Sequence, residues 1–319
     1  MTSTTAELPL LLGTVEVRTV QRLSPSFVRV ELGAPLLGDL GVVHPWYDQR
    51  IKLVFPGEPG AVPALLDKHS TGADESWFST WLDRPEEERG HMRTYSIRDV
   101  VGEGEDARLV VDIVVHEGAT GPGNSWALNA APGDRLAIMA PRRGHAYGGI
   151  EWHPEPGRRL LIAGDETAVP AICVILEQLP ASARGTAFVE VPYAADVQDV
   201  DHPTGVEVVW LPREGAEHGT RLHPAVTAHL GAPAAVTDVS DEEVDPDLWE
   251  TPTFSSSCDE PVDERAAIDV ERHSDLYAWI AGESKVVTGM RRHLVRDLGI
   301  DRRQVAFMGY WRRGVSMRS

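Results

Sequence analysis

The sequence predicts an antiparallel β-barrel followed by a doubly wound α/β unit. Two observations carry this. Up to residue 150 the apolar residues alternate with polar ones at a period of two, between Pro- and Gly-containing turns. From residue 158 short continuous apolar runs alternate with stretches of helical spacing, the pattern of a parallel sheet with crossover helices. A Pro/Gly-rich stretch at 148–157 separates the two patterns. Domains at 1–150 and 151–319 are therefore expected, and 319 residues suit two domains of ordinary size.

The elements follow in order. Residues 14–20, 27–32 and 50–55 alternate and read as strands, and so do 109–116. Residues 73–89 read as a short helix or excursion that carries Trp77, Trp81 and the acidic run at 86–88. The turn Pro132-Gly133-Asp134 introduces a closing strand at 135–141. A six-stranded antiparallel barrel is expected from these pieces. Beyond the linker, 159–165 is a buried-strand run, 169–179 a helix, and 186–191 and 206–210 further strands. Residues 276–282 are another strand, 284–297 a helix, and 305–311 the last strand. Between them, 235–265 is acidic and poor in large apolar residues. It reads as a mobile or loosely packed loop, or as a lid over part of a site.

Composition excludes several function classes. The chain is 42% hydrophobic and 25% charged, as soluble globular proteins are, and no apolar stretch approaches the 18 residues of a membrane span. A net charge of −19 argues against nucleic acid and anionic membranes as partners. The polar residues 1–7 and the short apolar run at 8–12 do not make a signal peptide, so the chain reads as cytoplasmic. Cys173 sits in an apolar helical run and reads as core; Cys258 lies in a polar segment and reads as a surface thiol. With no Cys-x-x-Cys pair there is no case for zinc or an iron–sulfur cluster. No hydrolytic triad spacing, metal-ligand cluster or P-loop is present.

The motifs are more informative. Arg93-Thr94-Tyr95-Ser96 precedes the alternating strand with Asp112, Val114 and His116. A Gly/Ser loop at 118–126 with Ser125 and Trp126 follows. Farther on come Gly164-Asp165-Glu166-Thr167-Ala168-Val169-Pro170, then Trp210-Leu211-Pro212-Arg213, then Trp279-Ile280-Ala281-Gly282-Glu283, and finally Gly309-Tyr310-Trp311-Arg312-Arg313-Gly314. In this order, from about residue 15 to 314, they resemble the siderophore-interacting protein family, flavoproteins of the ferredoxin-reductase-like superfamily that reduce ferric siderophores.

The resemblance implies FAD in the barrel. Arg93 would pair with phosphate in fork geometry, Tyr95 would pack on the ring system, and Ser96 would bond its polar edge. Asp112, Val114 and His116 would lie along the flavin strand, His116 through either its ring or its backbone. The loop at Ser125 and Trp126 would offer N–H groups and a hydroxyl to the pyrophosphate. Thr167 and Trp311 would lie near the flavin. Lys52, Lys285 and Arg292 would form a basic patch for an anionic ferric chelate. Lys285 and Arg292, seven apart on one helix, share a face. Arg213, at the carboxyl edge of the parallel sheet, would receive a nucleotide phosphate; a surface arginine is the alternative. Asp165 reads as a helix N-cap, and with Glu166 it works against polyanion binding in that turn. The implied activity is reduction of the Fe(III)-siderophore, with NAD(P)H or reduced ferredoxin as donor and no residue needed for proton transfer. An NAD(P)H oxidoreductase acting on another acceptor, or a non-catalytic siderophore-binding protein, remains open at this point.

Overall fold

The computed structural model describes residues 9–57, 77–116, 118–231, 249–251, 254–255 and 273–315. The chain divides into two compact units, Met1–Ile150 and Glu151–Arg318.

The first unit contains β1 (Leu10–Ser24), β2 (Phe27–Gly33), β3 (Arg50–Phe55), α1 (Trp77–Leu82), α2 (Glu86–Arg89), β4 (His91–Ser96), β5 (Asp99–Val101), β6 (Arg108–Val114), α3 (Pro122–Asn129) and β7 (Arg135–Pro141). The strands form one curled antiparallel sheet in the order β4-β3-β7-β1-β2-β6-β5. Among the described residues there are seven strands where six were expected. Asp99–Val101 adds an edge strand of three residues, too short to show a period of two in the sequence. The long β1 pairs with β7 along its first half and with β2 along its second, and its register shifts at Val17/Thr19 and Arg22/Ser24. Such irregularities bend a strand and increase its twist, which curls the sheet.

The pleat sorts side chains between two faces. Ile51, Leu53 and Phe55 of β3 enter the main core with Leu109, Val111 and Ile113 of β6. Val54, Met92 and Ala137 face the other way and pack under Trp81 of α1. The Trp81 indole N–H donates to the Arg89 carbonyl at 2.9 Å, and the Arg89 guanidinium lies 5.4 Å from its ring centre.

The second unit contains β8 (Arg159–Gly164), α4 (Val169–Gln178), β9 (Arg184–Val191), β10 (Val206–Pro212), α5 (Leu222–His229), β11 (Trp249–Thr251), β12 (Phe254–Ser255), β13 (Leu276–Glu283), α6 (Ser284–Arg291) and β14 (Val305–Trp311). Five parallel strands run β10-β9-β8-β13-β14, and β11 and β12 add an antiparallel hairpin on the edge of β14. Within the loop expected at 235–265 the described residues are these two short strands, where Trp249 and Glu250 pair with Met308 and Phe307. The acidic run at 238–247, the lid reading and Cys258 lie outside the described residues. Cys173 is buried in α4. The helix expected over 284–297 is α-helical only to Arg291, and residues Arg292–Asp297 continue it as a π-helix.

From β8 the chain steps outward to β9 and β10, then returns to β13 and β14 on the other side. The winding reverses between β8 and β13. In open α/β sheets the crevice at the carboxyl ends of such a strand pair is where ligands bind.

Phe307 is fully buried at the centre of β14. Phe307→Ala should destabilise the second unit by about 3–5 kcal/mol through lost burial and a residual cavity. Denaturant unfolding followed by the circular dichroism of the full chain checks this.

Candidate functional site

In the first unit, β4 carries Arg93 and Tyr95 on the face that packs against the core. Tyr95 meets Phe55 edge-on at 5.8 Å, and Phe55 meets Trp126 of α3 at 5.2 Å. Burial, opposed by the nearby Arg93 charge, pushes the Tyr95 phenol up from its ordinary value, so it stays neutral. The first turn of α3 lies against this phenol. A Cβ on Gly123 would come 2.2 Å from the Tyr95 hydroxyl, so only glycine permits the approach. Helix α3 begins Gly121-Pro122, and Gly121 supplies no side-chain cap. Pro122 carries no N–H and the Ser125 N–H bonds the Gly121 carbonyl, which leaves the Gly123 and Asn124 N–H groups at the helix start as those suited to an outside anion. The preceding loop is shaped by Asn124, whose side-chain oxygen accepts the His116 backbone N–H at 2.6 Å and whose amide donates to the Ala119 carbonyl at 2.7 Å.

The opposite face of the same strands is basic. Lys52 pairs in register with Thr94, and its ammonium donates to the Thr94 hydroxyl at 2.6 Å. Arg50, two residues earlier, shares that face and lies across from Ser96. Burial first, and then the charge of Arg50, pulls the Lys52 ammonium below the usual lysine range.

In the second unit the carboxyl ends of β8, β13 and β14 converge on Asp165. One carboxylate oxygen accepts the Thr167 N–H at 2.8 Å and the Thr167 hydroxyl at 2.5 Å. The other accepts the Glu283 N–H at 2.7 Å and the Trp311 indole N–H at 2.9 Å. Gly282, at φ 148°, makes room: a Cβ there would meet the carboxyl at 2.7 Å. Burial, then the negative charge of Glu166, raises Asp165 to about 6. Glu166 moves the other way. Burial pushes it up, but hydrogen bonds from His218 and Arg213 and the Arg213 charge prevail and hold it at about 2. Arg213 grips Glu166 bidentately at 2.6 and 2.9 Å and reaches Glu190 at 3.5 Å. The His218 ring meets Trp311 edge-on at 4.9 Å.

Residues 16–145 match the family model described as the siderophore-interacting FAD-binding domain, and residues 157–314 match the siderophore-interacting protein model. The chain belongs to the siderophore-interacting protein family. It is similar to the ferric vibriobactin reductase ViuB of Vibrio cholerae, at 28% identity over 292 residues, 92% of this chain and 86% of that protein. It is similar to an NADPH-dependent ferric-chelate reductase of Escherichia coli, at 26% identity over 301 residues, 92% and 91% of the two chains. The crystal structure of a siderophore utilization protein from T. fusca superposes with a TM-score of 0.65 at 29% identity, covering 98% of this chain and 97% of that one.

The cofactor of this siderophore-interacting protein is FAD, and the first unit fits it. Tyr95 offers a neutral aromatic surface, α3 an uncapped helix start, and Arg93 a guanidinium on the same strand face. Ser125 and Trp126 lie in α3, where the Ser125 N–H is used on the Gly121 carbonyl and its side chain is exposed. Strand alternation sets Ser96 on the face of Lys52 and Thr94, away from Tyr95.

Several side chains named from the resemblance are engaged by partners within the chain. The Asp112 carboxylate is held bidentately by Arg29 at 2.7 and 2.8 Å, with Arg98 at 3.8 Å, on the sheet face away from the core, which Val114 shares. Arg213 does not present itself to a phosphate, because it is 5% exposed and committed to Glu166 and Glu190. Thr167 is directed to Asp165. Asp165 does accept an N–H two residues on, but α4 is capped at Ala168, and the carboxylate serves three strand ends. Lys285 stands in the first turn of α6 beside the β13 end, whereas Arg292 follows the last turn, roughly 10 Å along the axis. Asn124, His218 and Glu190 were not singled out by sequence. Each works through a partner distant in the chain or through backbone groups, which no motif announces.

Two measurements follow from this geometry. Arg93→Ala removes a charge-assisted anchor of about 1.5–3 kcal/mol, so FAD affinity should fall roughly tenfold or more, read by equilibrium dialysis against FAD. Arg213→Met should cost about 3–5 kcal/mol, because Glu166 stays buried without its cation. Glu166 is depressed in the fold, so its contribution is present above the ordinary carboxylate range and is lost as pH falls toward about 2. The gap between the variant and wild type should therefore narrow in acid, measured by denaturant melts from pH 7 to pH 3.

Proposed function

We propose that this protein is an FAD-dependent ferric-siderophore reductase that releases iron as Fe(II) in the cytoplasm. The observation that carries the reading is the cradle of Arg93, Tyr95 and the α3 start within the matched FAD-binding domain. The relatives named ferric vibriobactin reductase and ferric-chelate reductase support the substrate class. When bound, FAD supplies electrons one at a time to Fe(III), a chemistry the protein side chains lack. Hard oxygen donors hold Fe(II) far more weakly than Fe(III), so reduction releases the metal.

The residues of the chain bind and orient. Arg93 and the leading N–H groups of α3 take the pyrophosphate. Lys52, held by a hydroxyl with Arg50 beside it, attracts the anionic chelate on the outer face of β3. Lys285 adds charge at the head of α6, and Arg292 stands a helix length farther on. No protein acid or base is required for electron transfer. The crevice at the carboxyl ends of β8 and β13 receives the reductant, NAD(P)H or reduced ferredoxin. The relative named NADPH-dependent favours a nicotinamide donor. The β8–α4 turn does not grip one through its pyrophosphate. Its N–H groups at Thr167, Ala168 and Val169 are used on Asp165 and Glu166, and Pro170 has none.

Anaerobic mixing of photoreduced protein with several ferric siderophores, followed at the flavin absorbance, tests the reading. Reoxidation by ferric siderophores is expected, and a flavin left reduced by all of them would sink it. Lys52→Ala and Lys285→Ala should each weaken an anionic ferric chelate by about 0.5–1.5 kcal/mol with FAD content unchanged, and Arg292→Ala by less. Added salt should shrink these differences, because screening limits the reach of each charge to about 8 Å at physiological ionic strength. A neutral ferric siderophore should respond weakly.

A further inference from the structure

Asp165 lies at the switch point between β8 and β13, where this architecture places a ligand, yet its carboxylate is turned inward and 3% exposed. Each of its oxygens accepts two hydrogen bonds, and the four donors come from its own turn, from the end of β13 and from the end of β14. Of the N–H groups that a strand-to-helix turn would lend to a phosphate, that of Thr167 is used on this carboxylate, and those of Ala168 and Val169 go to the backbone carbonyls of Asp165 and Glu166. The one side chain among these donors that belongs to a strand end is Trp311. The Glu283 N–H comes from backbone, and Glu283 in turn accepts the Lys285, Val286 and Arg313 N–H groups.

We propose that Asp165 is a positioning residue for the reductant half-reaction: its carboxylate fixes the Trp311 indole at the mouth of the β8–β13 crevice, and the carboxylate must be ionised to do so. This rests on the reading of that crevice as the donor site. The chemistry requires the charge. An ionised carboxylate only accepts, so one oxygen can serve both the Trp311 and the Glu283 N–H. An asparagine or a protonated acid would set a donor against the N–H groups on one side, either those of Trp311 and Glu283 or that of Thr167, and only the anion accepts from both. The charged groups around it fix when this happens. Burial and Glu166 in its own turn disfavour its charge, and Glu283 stands at the end of β13. Arg213, at the end of β10, is committed to Glu166 and Glu190, and His218 faces Trp311 while bonding Glu166.

The test uses the FAD-loaded full chain, with NADPH as the donor probe, in wild type, Asp165→Asn, Trp311→Phe and the double variant. The Trp311 contribution to indole emission, obtained by subtracting the Trp311→Phe spectrum, should titrate in wild type with a midpoint near the Asp165 value of about 6 and should not titrate in Asp165→Asn. Flavin reduction by NADPH at pH 7.5 should slow about tenfold in Asp165→Asn with FAD content retained. The double variant should be no slower than Trp311→Phe alone, since the carboxylate acts through the indole. An indole signal unchanged by Asp165→Asn, or rate losses that multiply in the double variant, would overturn the proposal. Should Asp165→Asn fail to fold, the wild-type indole titration decides, and its absence between pH 5 and 7 would overturn the proposal. Wild-type protein that NADPH does not reduce would refute the nicotinamide donor reading, while the indole titration would still decide whether Asp165 holds Trp311.

Discussion

Three strand ends of the second unit meet on one carboxylate, and the arrangement around them follows from keeping that group charged. Asp165 and Glu166 are neighbours in sequence and both buried, yet their ionisation is driven apart. Glu166 has a bidentate guanidinium and an imidazole, so its charge is compensated and its pKa falls to about 2. Asp165 has only neutral donors, with Glu166 adding repulsion, so its pKa rises to about 6. For an acid raised in the fold, stability falls as pH climbs from the ordinary aspartate value through the raised one. At neutral pH the fold therefore carries a destabilised anion. Four donors offset part of that cost and are in turn aligned by it. Residues so perturbed in a cleft point to function more often than to structure.

In the first unit the governing constraint is the pleat. A step of one residue along β4 changes the face, so a four-residue signature cannot put all its side chains on one ligand. Arg93 and Tyr95 share the face that meets α3, whereas Thr94 and Ser96 share the face of Arg50 and Lys52. The sheet thus separates two environments built from the same pair of strands, to which the proposed function gives an anion each. One is an aromatic, partly dry cradle with a helix start, and the other a basic patch around Lys52. Gly123 is what lets the helix start come close enough to the Tyr95 phenol for the first to be a single site.

Much of this was legible in the sequence, because it is local. Alternation exposed the strands of the curled sheet, and the change to buried runs exposed the parallel sheet. The flavin signature stood out as a motif on a strand. What was not legible depends on contacts between residues far apart in the chain. Arg213 at the end of a strand looked available to a phosphate, but Glu166, 47 residues earlier, claims it. Asp112 looked like part of a flavin strand, but Arg29, 83 residues earlier, claims it. The hairpin at Trp249–Ser255 was hidden in acidic surroundings because its strands hold three and two residues and take their register from β14. The π-helical end of α6 leaves no compositional trace; it begins at Arg292 and changes the helix beyond the Lys285–Arg292 spacing.

The net charge of −19 gives the substrate site its remaining constraint. An anionic chelate approaching this protein meets a repulsive field summed over many distant acids, while the attraction proposed for Lys52 would act only at close range. The two respond differently to salt. Distant charges lie beyond a screening length of about 8 Å and fade first, whereas a contact at hydrogen-bonding distance in a partly buried place is screened least. Ionic strength should therefore speed the encounter of chelate and protein even as it weakens the bound contact, so the two terms oppose each other in the measured affinity. Their separation lies in kinetics: whole-protein charge enters the association rate and the local cations enter dissociation. An acidic protein can in this way hold an anionic ligand with few cations, provided they stand where water is partly excluded, as the depressed Lys52 ammonium does.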